Sequence, residues 1–211
     1  MSNRSQVVDV NGSLSSEKVV GMGVPQGSTL GPLFFLLYIN DLNKCFSVLK
    51  TINFADDTTL YVDFTPNDNI GSIISRDLKT LEEWLDVNRL SLNVPKSNYM
   101  VSSNKSNVCQ YDIPIRGRLL NRVSKQKFLG VIIDQNLNFK SHIDKICSKV
   151  SSSVGVMRRI RGTVPQPVLK SIFYTLVHSS YSYPLAAWGS AYPSALNRLR
   201  NLLREDSDFY L

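Results

Sequence analysis

Apolar and polar residues recur with different periods along the chain, and these periods predict a mixed first part and a helical second part. Residues 6–10 alternate loosely and run into Asn11-Gly12, which predicts a strand that ends in a tight turn. Residues 51–63 predict two β-rich arms around an Asp-Asp bend, and apolar residues three and four apart predict a helix over about 67–89. Further strands are expected near 99–102, 111–115 and 127–134, and further helices over about 139–161, 166–187 and 193–205. The order of these elements predicts an α+β fold.

A loop rich in glycine and proline interrupts this pattern. Residues 21–32 contain six Gly or Pro in twelve positions, whereas the 11 Gly and 9 Pro of all 211 residues predict about one. The run over 29–46 then predicts a buried helix, capped by Ser28 or Thr29 and with Pro32 in its first turn. Glycines permit close approach of a ligand and a helix start favours anions, but an ordinary strand-to-helix turn is the alternative. The spacing fits neither a P-loop nor G-x-G-x-x-G.

Composition indicates a folded protein and excludes several kinds of site. The chain is 43% hydrophobic and 19% charged, which is unlike disordered or fibrous proteins. Its longest apolar run, Leu33–Ile39, is too short to span a bilayer, and no signal pattern opens the chain, so an intracellular protein with no membrane segment is expected. The 3 Cys and 2 His are widely separated, which leaves no basis for a disulfide framework, a zinc site or a Ser/His triad. Any metal chemistry must therefore use oxygen ligands.

Charge is distributed unevenly between the two halves. Residues 1–114 carry 9 Lys or Arg against 12 Asp or Glu, a net −3, and residues 115–211 carry 15 against 5, a net +10. A basic region of this kind indicates a polyanionic partner such as nucleic acid. A merely solvated basic surface is the alternative.

The adjacent carboxylates Asp56 and Asp57 are the first candidate for chemistry. Chance alone gives about 0.8 Asp-Asp pairs for this composition, so the dipeptide by itself is no evidence for a metal site. The residues around it must provide that evidence. Apolar residues on both arms, Phe54 and Leu60 among them, predict a partly buried bend. Two buried negative charges are costly unless a cation binds or one carboxyl takes up a proton. We therefore expect a divalent metal site at this bend.

These residues belong to two longer motifs that identify a family. The first runs Gly23-Val24-Pro25-Gln26-Gly27-Ser28, Leu30-Gly31-Pro32-Leu33-Phe34 and Tyr38-Ile39-Asn40-Asp41-Leu42, and the second is Phe54-Ala55-Asp56-Asp57-Thr58. In this order and at this interval they closely resemble the reverse transcriptases of non-LTR retrotransposons, especially jockey-like elements. The resemblance covers nearly the whole chain and continues through Trp84, Asn88, Leu90, Leu92, Asn93, Lys96 and Phe128-Leu129-Gly130-Val131-Ile132.

The resemblance implies an RNA-directed DNA polymerase that adds deoxynucleotides to a primer 3′-hydroxyl by a two-metal mechanism. It implies a partial polymerase palm over residues 1–135, with the nucleotide loop, the Asp-Asp hairpin and a primer-grip hairpin, and a helical thumb-like region over 136–211. The expected partners are an RNA template, a DNA primer and deoxynucleoside triphosphates, and the expected cofactor is Mg²⁺, as two ions in a complete site. Integration of the element implies a nuclear site of action.

The same resemblance assigns roles to particular residues. Asp56 and Asp57 match the metal ligands, and Pro25, Gln26, Gly27 and Phe54 match residues beside the incoming nucleotide, although Phe54 fits a core position equally well. Lys96 matches a lysine that approaches the departing pyrophosphate, with a surface lysine as the alternative. Phe128, Leu129 and Gly130 match the hairpin that grips the primer end, and they also suit packing between lobes. The thumb-like region supplies cations for phosphate contacts, at Lys140, Lys145, Lys149, Arg158, Arg159 and Arg161.

The chain departs from the family pattern in its first residues. The third carboxylate of the metal site has no match, because only Asp9 and Glu17 precede Gly21 and Asp9 lies in a stretch that resembles the strand before the loop. The fingers, the endonuclease and a Cys/His knuckle have no match either. We therefore expect an incomplete and weakly active or inactive polymerase, whose parent protein holds the missing N-terminal fingers and palm segment. The alternative is a non-catalytic remnant that binds RNA–DNA duplexes through its basic helices.

Aromatic residues of the last third are predicted to pack in the core rather than stack on bases, namely Tyr174, His178, Tyr181, Tyr183 and Trp188.

Overall fold

Helices and small β-sheets are mixed along the chain, in agreement with the predicted α+β pattern. The computed structural model describes residues 4–21, 23, 27–65, 69–103 and 110–205. The chain divides into two compact units: Met1–Val94 with Asp112–Leu119, and Pro95–Tyr111 with Leu120–Leu211. Within the described residues every sheet has two strands, and all pairings but one are antiparallel. In these same stretches no helix is both long and apolar enough to cross a membrane.

The first unit begins with two nested hairpins. Strand β1 (Arg4–Gln6) pairs with β4 (Lys18–Val20), and between them β2 (Asp9–Val10) pairs with β3 (Ser13–Leu14). The turn at Asn11 and Gly12 has φ of 52° and 85°, as the Asn-Gly dipeptide favours in tight hairpins. The carboxylate of Asp9 accepts the N–H of Gly12 at 2.9 Å. The predicted turn is confirmed and Asp9 stabilises it, whereas the predicted strand over 6–10 is interrupted at Val7 and Val8.

Helix α1 (Gly31–Ile39) follows the glycine-rich loop. The Ser28 hydroxyl accepts the N–H of Gly31 at 3.1 Å, and Pro32 lies in the first turn, as predicted. The prediction that this helix is buried is wrong, because only Gly31 and Ile39 are buried and Leu37 is 65% exposed. Apolar residues occupy every side of this helix, so contact along one face cannot cover them all. A 3-10 helix, Leu42–Cys45, follows it.

The rest of the first unit packs around one long amphipathic helix. Strands β5 (Lys50–Phe54) and β6 (Asp57–Tyr61) form a hairpin, and helix α2 (Ile70–Val87) follows. The bounds of α2 lie close to the predicted ones because its apolar stripe is one-sided. Strands β8 (Pro114–Ile115) and β9 (Arg118–Leu119) form a small hairpin against this helix. The buried hydrophobic residues are Ile39, Leu42, Leu49, Ile70, Leu78, Leu81, Leu85, Ile113 and Ile115.

The second unit combines two small sheets with the C-terminal helices. Strand β7 (Asn98–Tyr99) pairs in parallel with β10 (Asn121–Arg122), and β11 (Lys125–Phe128) pairs with β12 (Val131–Asp134) as a hairpin. The helices are α3 (Lys140–Ile160), α4 (Gln166–Ile172), a π-helical segment (Phe173–His178), α5 (Ser179–Ser182), α6 (Leu185–Trp188) and α7 (Pro193–Glu205). Predictions for α3 and α7 are confirmed within about a residue.

One predicted helix of the second unit is broken. The expected helix over 166–187 stops at Ser182 and resumes at Leu185. Pro184 disfavours helical backbone in the residue before it, and Tyr183 is accordingly extended, with φ −94° and ψ 135°. The core of this unit lies mainly between α3 and the later helices and consists of Ile143, Ile146, Cys147, Val150, Val154, Met157, Leu169, Val177, Trp188 and Leu199.

Candidate active site and nucleic-acid interface

The two candidate metal-binding carboxylates lie at the tip of the β5–β6 hairpin, as predicted. Ala55 and Asp56 form the turn, where Ala55 has φ of 52°, and Asp57 is the first residue of β6. Both aspartates are exposed. The hairpin therefore presents two adjacent carboxylates to solvent at one point of the first unit.

The expected burial of this bend is wrong. Phe54 is 60% exposed, and Ile52 and Tyr61 are also exposed, so the apolar arms do not enclose the carboxylates. Water solvates two exposed charges, so their proximity alone creates no need for a bound cation. The metal hypothesis consequently rests on the chemistry of the donors and on their place in the hairpin.

One face of the hairpin brings an aromatic ring next to the acidic tip. Phe54 is the direct cross-strand partner of Asp57, and directly opposed side chains lie on the same face of an antiparallel pair. Ile52 lies on that face as well, opposite Thr59. The exposure of Phe54 excludes the core position that its sequence context also allowed. The structure thus brings together Phe54, Asp56 and Asp57.

A buried carboxylate that the sequence reading missed fixes the base of this hairpin. Asp77, on α2, is only 2% exposed and accepts the N–H groups of Ser47, Val48 and Leu49 at 3.0, 2.9 and 3.0 Å. The Ser47 hydroxyl also donates to it at 2.7 Å. These donors come directly before Lys50, where β5 begins. Asp77 therefore joins α2 to the strand that leads to the acidic tip.

Hydrogen bonding determines the ionisation of Asp77. Burial by itself raises the pKa of this carboxyl, but the N–H groups of Leu49, Val48 and Ser47 and the Ser47 hydroxyl outweigh burial, and the pKa lies below its ordinary value. Asp77 is thus held as a carboxylate. Its sequence signal was an acidic residue within the apolar stripe of α2, seven positions after Ile70.

The glycine-rich loop is described only in part. Gly27 is exposed and has φ of +81°, and no atom lies within 4 Å of the position that a Cβ would take there. That backbone conformation favours glycine, and the absence of a side chain leaves the backbone accessible. The predicted nucleotide-site residues Pro25 and Gln26 lie outside the described residues.

The other predicted catalytic and primer-binding residues belong to the second unit. Lys96 ends a 3-10 helix (Val94–Lys96) and is exposed, and its carbonyl accepts the side-chain amide of Asn98 at 3.2 Å. Phe128, Leu129 and Gly130 form the tip of the β11–β12 hairpin, where Leu129 and Gly130 have φ of 45° and 91°. The single strand predicted near 127–134 is therefore wrong, because a turn divides it into the hairpin that the resemblance implied, and the role of this hairpin at the primer end stays a prediction.

The predicted basic surface lies on and just after α3. Lys145, Lys149 and Arg159 are exposed; at 100° per residue Lys145 and Arg159 lie opposite the buried stripe of the helix, and Lys149 lies at one edge of this solvent face. Lys140 and Arg158 are exposed towards one flank, and Arg161 directly follows the helix. The helix thus has an apolar face for the core and a cationic face for solvent.

The aromatic residues of the last third divide between core and surface. Trp188 is fully buried and Tyr181 packs against the core, as predicted. Tyr174 and Tyr183 are exposed, so the core prediction is wrong for these two. The break at Pro184 explains Tyr183, because the chain leaves the helix there.

No group of three His, Cys, Asp or Glu side chains that could hold a metal ion occurs among the described residues. Among the described residues, the acidic tip of the β5–β6 hairpin therefore has two carboxylates, Asp56 and Asp57, and no third acidic side chain joins them.

Comparison with known proteins identifies similar sequences. The sequence model of the family Reverse transcriptase (RNA-dependent DNA polymerase) matches residues 3–133. The RNA-directed DNA polymerase from mobile element jockey of Drosophila melanogaster is 26% identical over 212 residues, which cover 96% of this chain and 23% of that protein. Its counterpart from Drosophila funebris is 26% identical over 92% of this chain and 22% of its own length.

A third relative extends the similarity to another element. The probable RNA-directed DNA polymerase from transposon BS of Drosophila melanogaster is 25% identical over 96% of this chain and 24% of its own length. The chain thus spans about a quarter of the length of these curated relatives. No solved structure matches it.

Proposed function

The chain belongs to the reverse transcriptase family, and we propose that it forms part of the polymerase site of a non-LTR retrotransposon. In this proposal residues 1–135 are a partial palm and residues 136–211 are thumb-like, and the reaction joins a deoxynucleotide to a primer 3′-hydroxyl on an RNA template. The observation that carries the proposal is the Asp56-Asp57 pair at the tip of an exposed hairpin.

The donor set at this tip fits the implied cofactor. Carboxylate oxygens are the ligands that Mg²⁺ prefers, and the exposure of Asp56 and Asp57 leaves room for the waters that Mg²⁺ retains. Bound Mg²⁺, as two ions in a complete site, would supply the positive charge that activates the primer hydroxyl and neutralises the triphosphate. We assign Asp56 and Asp57 as the residues that hold it.

The remaining roles rest on the match to the family's motifs. Phe54 borders the incoming nucleotide, because its ring shares a face of the hairpin with Asp57. Gly27 provides backbone that can approach the nucleotide closely, and the resemblance assigns Pro25 and Gln26 to the same nucleotide site. Lys96 carries an exposed ammonium group that stabilises the negative charge of the departing pyrophosphate.

We expect the 211 residues by themselves to extend a primer weakly or not at all. Two carboxylates leave most of the octahedral shell of Mg²⁺ to water, and the described residues bring no third acidic group to the tip. Robust extension that requires Mg²⁺ and disappears in Asp56→Ala would contradict the expected weakness and would support the site assignment.

Direct measurement of metal binding tests the site even where extension is undetectable. Mn²⁺ binding, followed by electron paramagnetic resonance and competed with Mg²⁺, is expected to weaken at least tenfold in Asp56→Asn and Asp57→Asn. Asp63→Asn is the matched control, because Asp63 is an exposed carboxylate near the same hairpin. Equal Mn²⁺ affinity in the control and in both tip variants would refute the assignment.

A specific observation also favours a second candidate function, which is binding of RNA–DNA duplexes without catalysis. Lys145, Lys149 and Arg159 lie on the solvent-exposed side of α3, where they can reach phosphates. Duplex binding that survives Asp56→Ala, with no detectable Mn²⁺ site at the tip, would favour this function over polymerisation.

A further inference from the structure

The break in the helices of the second unit presents one tyrosine to a neighbouring hairpin. Tyr183 lies between α5 and α6 in extended conformation, before Pro184, and its side chain is 60% exposed. Its hydroxyl donates a hydrogen bond to the carbonyl oxygen of Leu129 at 3.1 Å. The contact joins residues 54 positions apart in sequence.

The tyrosine ring also lies against the turn. A Cβ built on Gly130 would meet Cε1 of Tyr183 at 3.4 Å, whereas the comparable turn glycine Gly117 has no atom within 4 Å of that position. The ring therefore packs where Gly130 lacks a side chain. The hydrogen bond and the ring contact hold the same two-residue turn.

This turn has a conformation that needs support. Leu129 and Gly130 both have left-handed backbone, with φ of 45° and 91°, and a residue other than glycine rarely adopts it. Turn residues at a hairpin tip have few tertiary neighbours, so one external hydrogen bond changes their mobility strongly. Tyr183 supplies such a bond.

We propose that Tyr183 is a positioning residue that holds the Leu129–Gly130 turn in the conformation that contacts the primer 3′ end. This inference rests on the proposed function, which assigns Phe128, Leu129 and Gly130 to the primer end. Tyr183 does not touch the reacting atoms. It fixes the direction of the Leu129 carbonyl and the backbone of Gly130, and it links the turn to the helices that follow α3.

The test uses the full chain and an RNA template annealed to a DNA primer that carries 2-aminopurine as its 3′-terminal base. Fluorescence of this base reports a contact at the primer end, and polarisation of a dye on the distant template end reports duplex affinity. Tyr183→Phe removes only the hydroxyl. Tyr192→Phe is the control, because Tyr192 is an exposed tyrosine of the same unit, and no hydrogen bond or ring contact of its side chain is found within the described residues.

We expect the fluorescence change of Tyr183→Phe to fall to less than half that of the wild type, with duplex affinity unchanged within twofold. Amide hydrogen exchange in residues 129–131 should also accelerate about fivefold, as the loss of one hydrogen bond to a turn predicts. Tyr192→Phe should match the wild type in both measurements.

The possible failures are distinguishable. A wild-type chain that binds the duplex without any fluorescence change at the primer end would refute the proposed primer contact, and the inference would fall with it. A wild-type fluorescence change that Tyr183→Phe retains in full would refute the inference alone. Unchanged amide exchange in Tyr183→Phe would likewise refute the positioning role, whatever the fluorescence shows.

Discussion

Asp77 shows how much one carboxylate can determine at the scale of a residue. It accepts three backbone N–H groups and one hydroxyl before β5, and an Asn at this position would turn its amide N–H towards those donors. We expect Asp77→Asn to lower the free energy of unfolding by about 1–3 kcal/mol, which urea denaturation measures. Faster amide exchange in β5 and β6 should accompany the loss.

The matched control for Asp77 is Asp86→Asn on the same helix. Asp86 is exposed and bonded to the Arg116 guanidinium, so its loss should change stability much less. Because the pKa of Asp77 is below its ordinary value of 3.8, its contribution is complete above about pH 5 and is lost as the pH falls through its folded-state pKa. Equal effects of both variants at neutral pH would contradict the role assigned to Asp77.

We expect His142 to make the stability of the chain depend on pH. It is buried at 6% exposure, its Nδ1 accepts the Ile132 N–H at 3.4 Å, and its ring lies edge-on to Trp188 at 5.7 Å. Burial, with a smaller effect of the Lys145 charge, lowers the pKa of His142 below its ordinary 6.5. The unfolded chain therefore takes up the proton first, and stability should decrease as the pH falls below about 6.5.

Denaturation at pH 7.5 and pH 5.5 checks this expectation. His142→Gln keeps a hydrogen-bond acceptor but does not titrate, so it should lose most of the difference between the two pH values. His178→Gln, at the half-buried second histidine, should keep that difference. A full pH dependence in His142→Gln would show that other groups cause it.

At the scale of an element, the start of α3 depends on a residue in the preceding strand. Asp134 is buried and accepts the N–H groups of Asn136, Asn138 and Phe139 at 3.1, 3.3 and 2.8 Å. These donors precede the first turn of the helix. We expect Asp134→Ala to lower the free energy of unfolding by about 1–3 kcal/mol, measured by chemical denaturation.

An acidic residue within α3 provides the comparison for Asp134. Asp144 pairs with Arg198 at 3.2 Å on the surface, and such exposed pairs contribute about 0–1 kcal/mol. Asp144→Ala should thus be nearly neutral. A larger loss for Asp144→Ala than for Asp134→Ala would mean that the helix start does not depend on the hydrogen bonds to Asp134.

The elements that the sequence predicted well share a one-sided pattern. Helices α2, α3 and α7 bury one stripe, so periodicity alone located their ends closely. Helix α1 was predicted correctly as a helix, but it ends at Ile39 and not near residue 46. Its burial was also predicted wrongly, because a continuous apolar run does not reveal what covers it. The break at Pro184 was missed although proline is a known signal, because the apolar pattern continues on both sides of it.

The candidate site was predictable to a similar extent. The Asp-Asp hairpin follows from two β-rich arms around a bend, but local sequence could not give the exposure of Phe54, which depends on tertiary contacts. The hydrogen bond between Tyr183 and Leu129 joins segments that are far apart in sequence, so the periodicity of apolar residues could not predict it. The sequence did contain a signal for Asp77, which is a carboxylate on the apolar stripe of α2. A carboxylate at such a position is buried, and a buried charge needs several hydrogen-bond donors.

At the scale of the whole molecule, the uneven charge predicts how duplex binding responds to salt. Each phosphate that a cation neutralises contributes about 0.9 to the slope of log K against log salt concentration. Replacing Lys145, Lys149 and Arg159 together by Gln should therefore reduce the slope by about 2–3. Polarisation measurements with a labelled RNA–DNA duplex over a range of salt concentrations provide the slope.

A triple variant in the first unit controls for net charge. Lys18, Lys44 and Lys79 are exposed, and their replacement by Gln removes the same charge from the chain. Its slope should remain within about 1 of the wild type. Equal reductions in both triple variants would indicate a general charge effect instead of an interface on α3.

The π-helical segment Phe173–His178 is a place where the chain can gain or lose one residue without a change in helix packing. A π-helical turn holds one residue more than an α-helical turn, so the segment is equivalent to a single-residue insertion in a helix. If one residue of this segment were removed, α4 could continue as an ordinary α-helix, and Leu169 and Tyr181 would still face the core. Homologous chains that differ by one residue at this point can therefore share the same helical packing, and an alignment gap there marks an extra residue absorbed by one turn.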